Sequence, residues 1–205
     1  MAKNNTIQKL KNIWAIEDLR TRILNTILFL LVYVAGTQIL LPGIDSKILS
    51  SATTEGGWTD LINQFSGGAF SKASIFALGI MPYITASIVI QLLGMAVPQF
   101  QKLQKEGESG RKKMQTYTKF LTIAVTAVQA PSYLRMYVGA KGAIVDDGFM
   151  FMFTSVCIMI SATLFLMWLG EKITEKGIGN GVSILITVGI LARLPMAILE
   201  EFKEA

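Results

Sequence analysis

Apolar residues gather into five runs along the chain, separated by polar segments. The runs cover Ile23–Leu41, Ser74–Val97, Phe120–Gly139, Phe149–Gly170 and Val182–Leu199. Each is close to the ~20 residues that an α-helix needs to cross ~30 Å of hydrocarbon at ~1.5 Å per residue. A buried helical core is the alternative, but the polar sequence left among 205 residues is too short to cover five such helices. The pattern therefore predicts an all-α, polytopic membrane protein with five transmembrane helices.

Two polar segments also carry apolar residues at helical spacing. In residues 1–22 this spacing predicts an amphipathic helix at the membrane surface. The segment 42–73 opens with Pro42-Gly43, which ends the first helix, and a second short amphipathic helix is predicted at about 58–70. Its apolar face holds Trp58, Leu61, Ile62 and Phe65, and Gly67-Gly68 breaks it. This helix packs either against the protein or on the membrane surface.

The second apolar run carries a polar stripe. On a helical wheel, Ser87 and Gln91 share one face with Ile80, Ile84 and Gly94. A face that met only lipid would have no use for these polar groups, so it lines water or packs on another helix, and the residues leave both possibilities open. Pro82 predicts a kink within this helix.

Composition and charge agree with a membrane protein and orient it. The chain is 52% hydrophobic, with mean hydropathy +0.50 and net charge +5. With the N-terminus inside, the inner segments 1–22, 98–119 and 171–181 hold 13 Lys and Arg residues, against four in the outer segments. This bias predicts a cytoplasmic N-terminus and places 200–205 outside. The basic loop 98–119 is either a solvated segment or a docking site for an anionic partner, through Lys105, Arg111, Lys112 and Lys113.

Groups that carry chemistry are missing from the apolar runs. The sequence has no His, and none of the five runs contains Asp or Glu. An intramembrane enzyme needs a nucleophile with a base or an acid pair, and an ion-coupled transporter usually needs intramembrane acids. Cys157 has no second cysteine with which to form an intrachain disulfide. The chain is therefore predicted not to be an enzyme, and no metal site or cofactor is expected.

Four stretches carry a resemblance to a known family. They are "FSGGAFSKASIFALGIMPYITASIVIQLL" (65–93), "MWLGEKITEKGIGNGVSILI" (167–186), "PGID" (42–45) and "KEGESGRKK" (105–113). With them the whole chain resembles the N-terminal half of bacterial SecY protein-conducting channels. It departs from many relatives near Val34, where they carry an Arg, and in a less proline-rich end to the first run. Family members have ten spans in two pseudo-symmetric halves, so a fragment or an unplaced second half is expected.

The resemblance implies a structural role for three groups of residues. The chain would form one half of a ten-helix channel in the bacterial plasma membrane. The plug that fills the closed channel would comprise Trp58, Leu61, Ile62, Phe65, Gly67, Gly68 and Phe70. The aliphatic pore ring would include Ile80, Ile84 and Ile186, and the lateral gate would include Thr85, Ser87, Ile88 and Gln91.

The resemblance also implies partners. These are the SecE and SecG subunits, the SecA motor ATPase or the ribosome, a nascent or unfolded polypeptide, the lipid bilayer and the C-terminal half of the same channel. The sequence contains no nucleotide-binding motif, so the driving energy would come from such a partner. Two other functions remain open: half of a secondary transporter with a helix broken at proline, and a scaffold for membrane-complex assembly.

Overall fold

The computed structural model describes residues 16–51, 62–63, 65–145 and 148–204, and its elements are helical, as predicted. In chain order they are α1 (Glu17–Thr37), α2 (Ser46–Ser51), α3 (Met81–Ala96), α4 (Pro98–Lys105), α5 (Glu108–Tyr133), a π-helical turn (Leu134–Gly139), α6 (Phe149–Lys176) and α7 (Gly181–Glu204). Trp58, Leu61 and the predicted surface helix up to residue 15 lie outside the described residues.

The helix of the first apolar run starts earlier than the run itself. It begins at Glu17, and its two acidic residues, Glu17 and Asp18, lie in the first turn, where the positive end of the helix dipole favours them. Thr37 is its last residue, and the chain then forms two isolated bridges, Leu40 with Ser74 and Ile44 with Ile144, with a turn at Pro42-Gly43 between them. Residues 17–22 therefore belong to α1 and do not form part of a separate surface segment.

The second apolar run is only partly helical. The helix α3 begins at Met81, and residues 66–80 form a series of turns. Pro82 therefore lies in the first turn of a helix, where its missing N–H leaves no bond unmade, and the predicted kink at Pro82 is wrong. The chain bends instead by 99° after α3, where Val97 is extended and Pro98 starts α4. Steric exclusion of the helical conformation before a proline explains this break.

The basic segment 98–119 is helical, in contrast to the predicted loop. It contains α4 and the first turns of α5, joined by a tight turn in which Gly107 adopts φ +69°. Lys, Gln and Glu are good helix formers, and Glu108 in the first turn of α5 pairs with Lys112 one turn later. The rings of Phe100 and Tyr117 pack 5.8 Å apart and join α4 to α5.

A ridge of small residues at four-residue spacing forms the buried side of α5. It consists of Gly110, Thr118, Thr122, Thr126 and Ala130. Each of the three threonine hydroxyls donates to the carbonyl four residues earlier, so it is satisfied within its own helix. Small residues let membrane helices approach closely, and α5 packs on α3, α4 and α6.

The helices α6 and α7 form an antiparallel pair, as their short connection predicts. Gly177 is the C-cap of α6, and its N–H donates to the Ile173 carbonyl. Gly179 adopts φ +67° in the turn before α7. The connection is tight because a Cβ on Gly181 would meet the backbone carbonyl of Gly170. The helix α1 packs against both α6 and α7.

Two described helices, α1 and α6, are long and apolar enough to cross a membrane. The pair α3 and α4 meets the same criteria only if the bent pair counts as one span, and the apolar stretch of α7 over its described side chains, Gly181–Ala192, is shorter. The number of five spans therefore stays a prediction.

Candidate functional site

Residues 66–80, which we call the turn segment, are non-helical and yet lie in the core. Ala69, Ala73 and Ala77 are fully buried, and Phe70, Phe76 and Ile80 are nearly so. Helical geometry is interrupted because Gly67, Gly68 and Gly79 adopt φ of +64°, +85° and +55°. The predicted break at Gly67-Gly68 is confirmed, although the helical residues of this region end at Phe65, before the predicted plug helix would end.

Polar side chains replace the missing helical hydrogen bonds in this region. The Ser66 hydroxyl accepts from the Phe70 N–H at 3.1 Å and donates to the Asn63 carbonyl at 3.2 Å. The Asn63 side-chain carbonyl accepts from the Ser71 N–H at 3.0 Å. Within the described part of the chain, the buried Asn63 Nδ2 has no partner. These bonds compensate for the burial of irregular backbone.

Three helices, α1, α5 and α7, and the chain that follows α1 hold the turn segment in place. The Tyr133 hydroxyl of α5 donates to the Phe70 carbonyl at 2.7 Å. After α1, the Leu41 N–H donates to the Ala73 carbonyl at 3.0 Å, and the Ile75 N–H donates to the Ile39 carbonyl at 2.9 Å. On α7, a Cβ built at Gly189 would lie 3.5 Å from the Gly67 nitrogen and 3.2 Å from the Tyr33 hydroxyl of α1. The segment is thus packed against α1, α5 and α7.

The structure brings two of the three predicted ring residues together. Ile80, which is 8% exposed, belongs to a buried cluster with Leu166, Leu169, Ile173 and Leu185, and Ile84 packs partly buried against it. Ile186 is half-buried on α7, directly after Leu185. Their role as a pore ring stays a prediction.

The predicted gate residues lie on α3, and their polar groups bond within the helix. The Thr85 hydroxyl donates to the Met81 carbonyl at 3.1 Å, and the Gln91 amide donates to the Ser87 hydroxyl at 3.1 Å. Ile88 is 50% exposed. A cavity of about 310 Å³ separates α3 from α5 at the turn segment, lined by Ile62, Phe70, Leu78, Met81, Thr85, Val128, Gln129 and Ser132. The hydrogen bonds within α3 lower the free-energy cost of exposing this face to lipid. The half-exposed Ile88 side chain can contact an apolar partner.

The predicted docking residues are all exposed on the α4–α5 hairpin. Lys113 pairs with Glu106 at 3.4 Å and Lys112 pairs with Glu108 at 3.7 Å, both in solvent-accessible positions. Arg111 makes no ion pair with a residue that the structure describes. Exposed pairs of this kind are weak, so the cations remain available to an anionic partner.

Sequence reasoning missed the residues that hold the turn segment. Tyr133 and Gly189 gave no local signal, because each acts on backbone that lies far away along the chain. The four-residue repeat of small residues in α5 was visible in the sequence and would have identified its buried side. Over the described residues, no group of three or more His, Cys, Asp or Glu side chains could hold a metal ion.

Comparison with known proteins identifies the family. The sequence model of the SecY family matches residues 74–205, which is more than half of the chain. The chain belongs to the SecY family. It is 46% identical over 193 residues to the protein translocase subunit SecY of Escherichia coli K12, covering 92% of this chain and 44% of that protein. The SecY of Haemophilus influenzae is 47% identical over 197 residues, covering 92% and 43%.

The SecY of Pseudomonas aeruginosa is 43% identical over 207 residues and matches 100% of this chain and 46% of its own length. The chain thus spans less than half the length of these curated relatives, and it corresponds to their N-terminal part. Among solved structures, canine Sec61 in a ribosome–channel complex superposes with TM-score 0.61 at 22% identity over 83% of this chain and 36% of that one. A second protein-conducting channel gives TM-score 0.60 at 23% identity over the same shares. These likenesses confirm the fold of a SecY-family, multi-pass membrane protein.

Proposed function

We propose that this chain is the N-terminal half of the pore-forming subunit of a Sec translocase in the bacterial plasma membrane. The channel is passive: unfolded polypeptides cross it, and apolar segments leave it sideways into lipid. Membership of the SecY family supports this function, and so does one observation in the fold. A buried, non-helical turn segment ends at Ile80, next to Ile84 of α3, among apolar helices. Irregular backbone at membrane depth is tolerated only where protein buries it or where it borders a water-filled cavity.

In this proposal residues 58–70, which end in the first part of the turn segment, act as the plug, and Ile80, Ile84 and Ile186 belong to the ring. A constriction of branched aliphatic side chains excludes ions by dewetting and offers a passing chain no polar site to bind. The exposed side of α3, with Thr85, Ile88 and Gln91, forms one wall of the lateral gate. Partition through that gate follows transfer free energy, about −0.3 to −0.6 kcal/mol for each Leu-like residue and about +2.5 to +3.5 for a central charge.

Crosslinking to a stalled secretory chain tests the pore. Cys157, the native cysteine, is exposed and lines a groove between α1 and α6 to which none of the three proposed ring residues contributes. The double variant Ile84→Cys/Cys157→Ser therefore carries one cysteine at the ring, and the unaltered protein serves as its matched control. In an assembled, secreting translocase we expect adducts at position 84 and none at Cys157. Active secretion without adducts at position 84 would exclude Ile84 from the translocation path.

The proposed partners are SecE, SecG and either SecA or the ribosome. One solved relative is described as part of a ribosome–channel complex, which supports a ribosome as partner. The exposed cations of the α4–α5 hairpin would meet such an anionic surface.

A secondary transporter half needs side chains that coordinate or titrate a solute. The Ser66 and Ser74 hydroxyls and the Asn63 side-chain carbonyl bond instead to nearby backbone groups, and among the described residues the Asn63 Nδ2 is left unpaired. Flux of a small solute through the sealed protein would favour the transporter over the channel.

A further inference from the structure

The Phe70 carbonyl accepts two hydrogen bonds. One comes from the Ala73 N–H within the turn segment at 3.2 Å, and the other comes from the Tyr133 hydroxyl of α5 at 2.7 Å. The second distance is the commonest for an O–H···O bond, and both partners are buried, where such a bond is stronger than in water. A side-chain hydroxyl thus joins the proposed plug to a membrane helix 63 residues away along the chain.

The Phe70 ring is held by two tyrosines, but only one of them reaches the backbone. Its centroid lies 4.7 Å from the Tyr133 ring and 4.5 Å from the Tyr137 ring, within the range of favourable aromatic contacts. The Tyr137 hydroxyl pairs instead with the Lys141 ammonium at 3.2 Å. The two tyrosines therefore give the same kind of ring contact and differ in what their hydroxyls bind.

Tyr133 also lies where its helix changes form. It is the last residue of α5, directly before the π-helical turn, and Pro131 stands two residues earlier. Pro131 has no N–H to bond the carbonyl of Ala127, so the series of backbone hydrogen bonds along α5 is already interrupted here. Single π turns inside helices are frequent at functional sites. A shift of α5 against the turn segment would therefore move the Tyr133 hydroxyl relative to the Phe70 carbonyl.

We infer that Tyr133 is the positioning residue of the plug: its hydroxyl latches the turn segment to α5 while the channel is closed. This inference rests on the proposed plug, to which residues 66–70 of the turn segment belong. The latch is a single hydrogen bond, so it biases the segment toward its docked position and still yields when α5 moves.

Hydrogen exchange on the assembled translocase in liposomes tests the latch. Tyr133→Phe removes the hydroxyl and keeps the ring, and Tyr137→Phe is the matched control. Loss of one net hydrogen bond should raise the exchange of amides 69–74 about two- to tenfold in Tyr133→Phe, with no change in Tyr137→Phe. Amides 159–169 of α6 should keep their protection in both variants.

Three results would overturn the latch. They are unchanged exchange in Tyr133→Phe, an equal increase in both variants, and an increase that extends to α6, which would make the hydroxyl a contributor to overall stability only. Resting ion conductance, measured on the same samples, tests the plug separately. Faster exchange with unchanged conductance would keep the latch and refute the turn segment as the seal.

Discussion

Gly189 brings α7 into backbone contact with the chain that leads into the turn segment. A Cβ built at this position would lie 2.9 Å from the Phe65 carbonyl oxygen and 3.2 Å from the Tyr33 hydroxyl. Replacing Gly189 with Ala adds one methyl group at this contact. Because the Phe65 atom belongs to the backbone, it cannot rotate away as the end of a long side chain would.

The magnitude follows from this distance. Ordinary van der Waals contact begins at 3.4 Å, so Phe65 must retreat by about 0.5 Å. Overpacking of this kind costs about 1–3 kcal/mol, while Ala in place of Gly stabilises a helix interior by about 0.5–1 kcal/mol. The preference of a helix for Ala acts on α7 in both forms and cancels between them, so the docked form loses at least about 1 kcal/mol, roughly a fivefold or larger fall in the ratio of docked to undocked forms.

Gly94 on α3 provides the matched control. A Cβ there would meet the side-chain amide of Gln104, which is exposed and free to swing aside. Gly94→Ala should therefore be neutral or slightly stabilising. We would compare both variants by hydrogen exchange of amides 66–74 and by resting ion conductance of the assembled channel. If Gly189→Ala protected these amides as well as the unaltered protein, the described contact between α7 and Phe65 would be wrong.

Three further predictions concern the ring, the basic hairpin and α5. Ile84→Asn should raise resting ion leak and alter secretion, because a polar side chain would wet the constriction, whereas Ile84→Val should leave leak low; equal leak in both would count against a hydrophobic seal. Replacing Arg111, Lys112 and Lys113 together by Glu should weaken binding of SecA or ribosomes at low salt, and unchanged binding in a pull-down would remove these cations from the interface. Thr126→Leu should lower the midpoint of thermal unfolding, because the fully buried Thr126 leaves no room for a larger side chain, while the similar-sized Thr126→Val should cost less; the reverse order would contradict the ridge.

Local sequence signals account for the helix ends that are locally determined. The connection from α6 to α7 is an example, because Gly177 and Gly179 fall where the sequence calls for a cap and a turn. The predicted loop at 98–119 is wrong because a polar segment need not be a loop. Its Lys, Gln and Glu residues are in fact strong helix formers.

The turn segment could not be predicted from residues alone. Residues 74–80 are as apolar as a membrane helix, but the Ile75 N–H bonds to the distant Ile39 carbonyl and Gly79 adopts φ +55°, and neither feature shows in the apolar pattern. The family resemblance indicated two residues of the candidate site, Ile80 and Ile84. The role of Tyr133 could not be predicted, because its hydrogen-bond partner is a main-chain oxygen that any residue at position 70 would supply.

The bonding of the turn segment also restricts the direction in which it can leave. Several of its backbone groups are satisfied from outside it: the Phe70 carbonyl by Tyr133, the Ser71 N–H by the Asn63 side chain, and the Ala73 carbonyl and Ile75 N–H by Leu41 and Ile39. If the segment were displaced, these backbone groups would lose their hydrogen-bond partners. Each unpaired group costs several kcal/mol in hydrocarbon but little in water. A displaced turn segment is therefore strongly disfavoured among acyl chains, and it can move only to a place where water reaches its backbone.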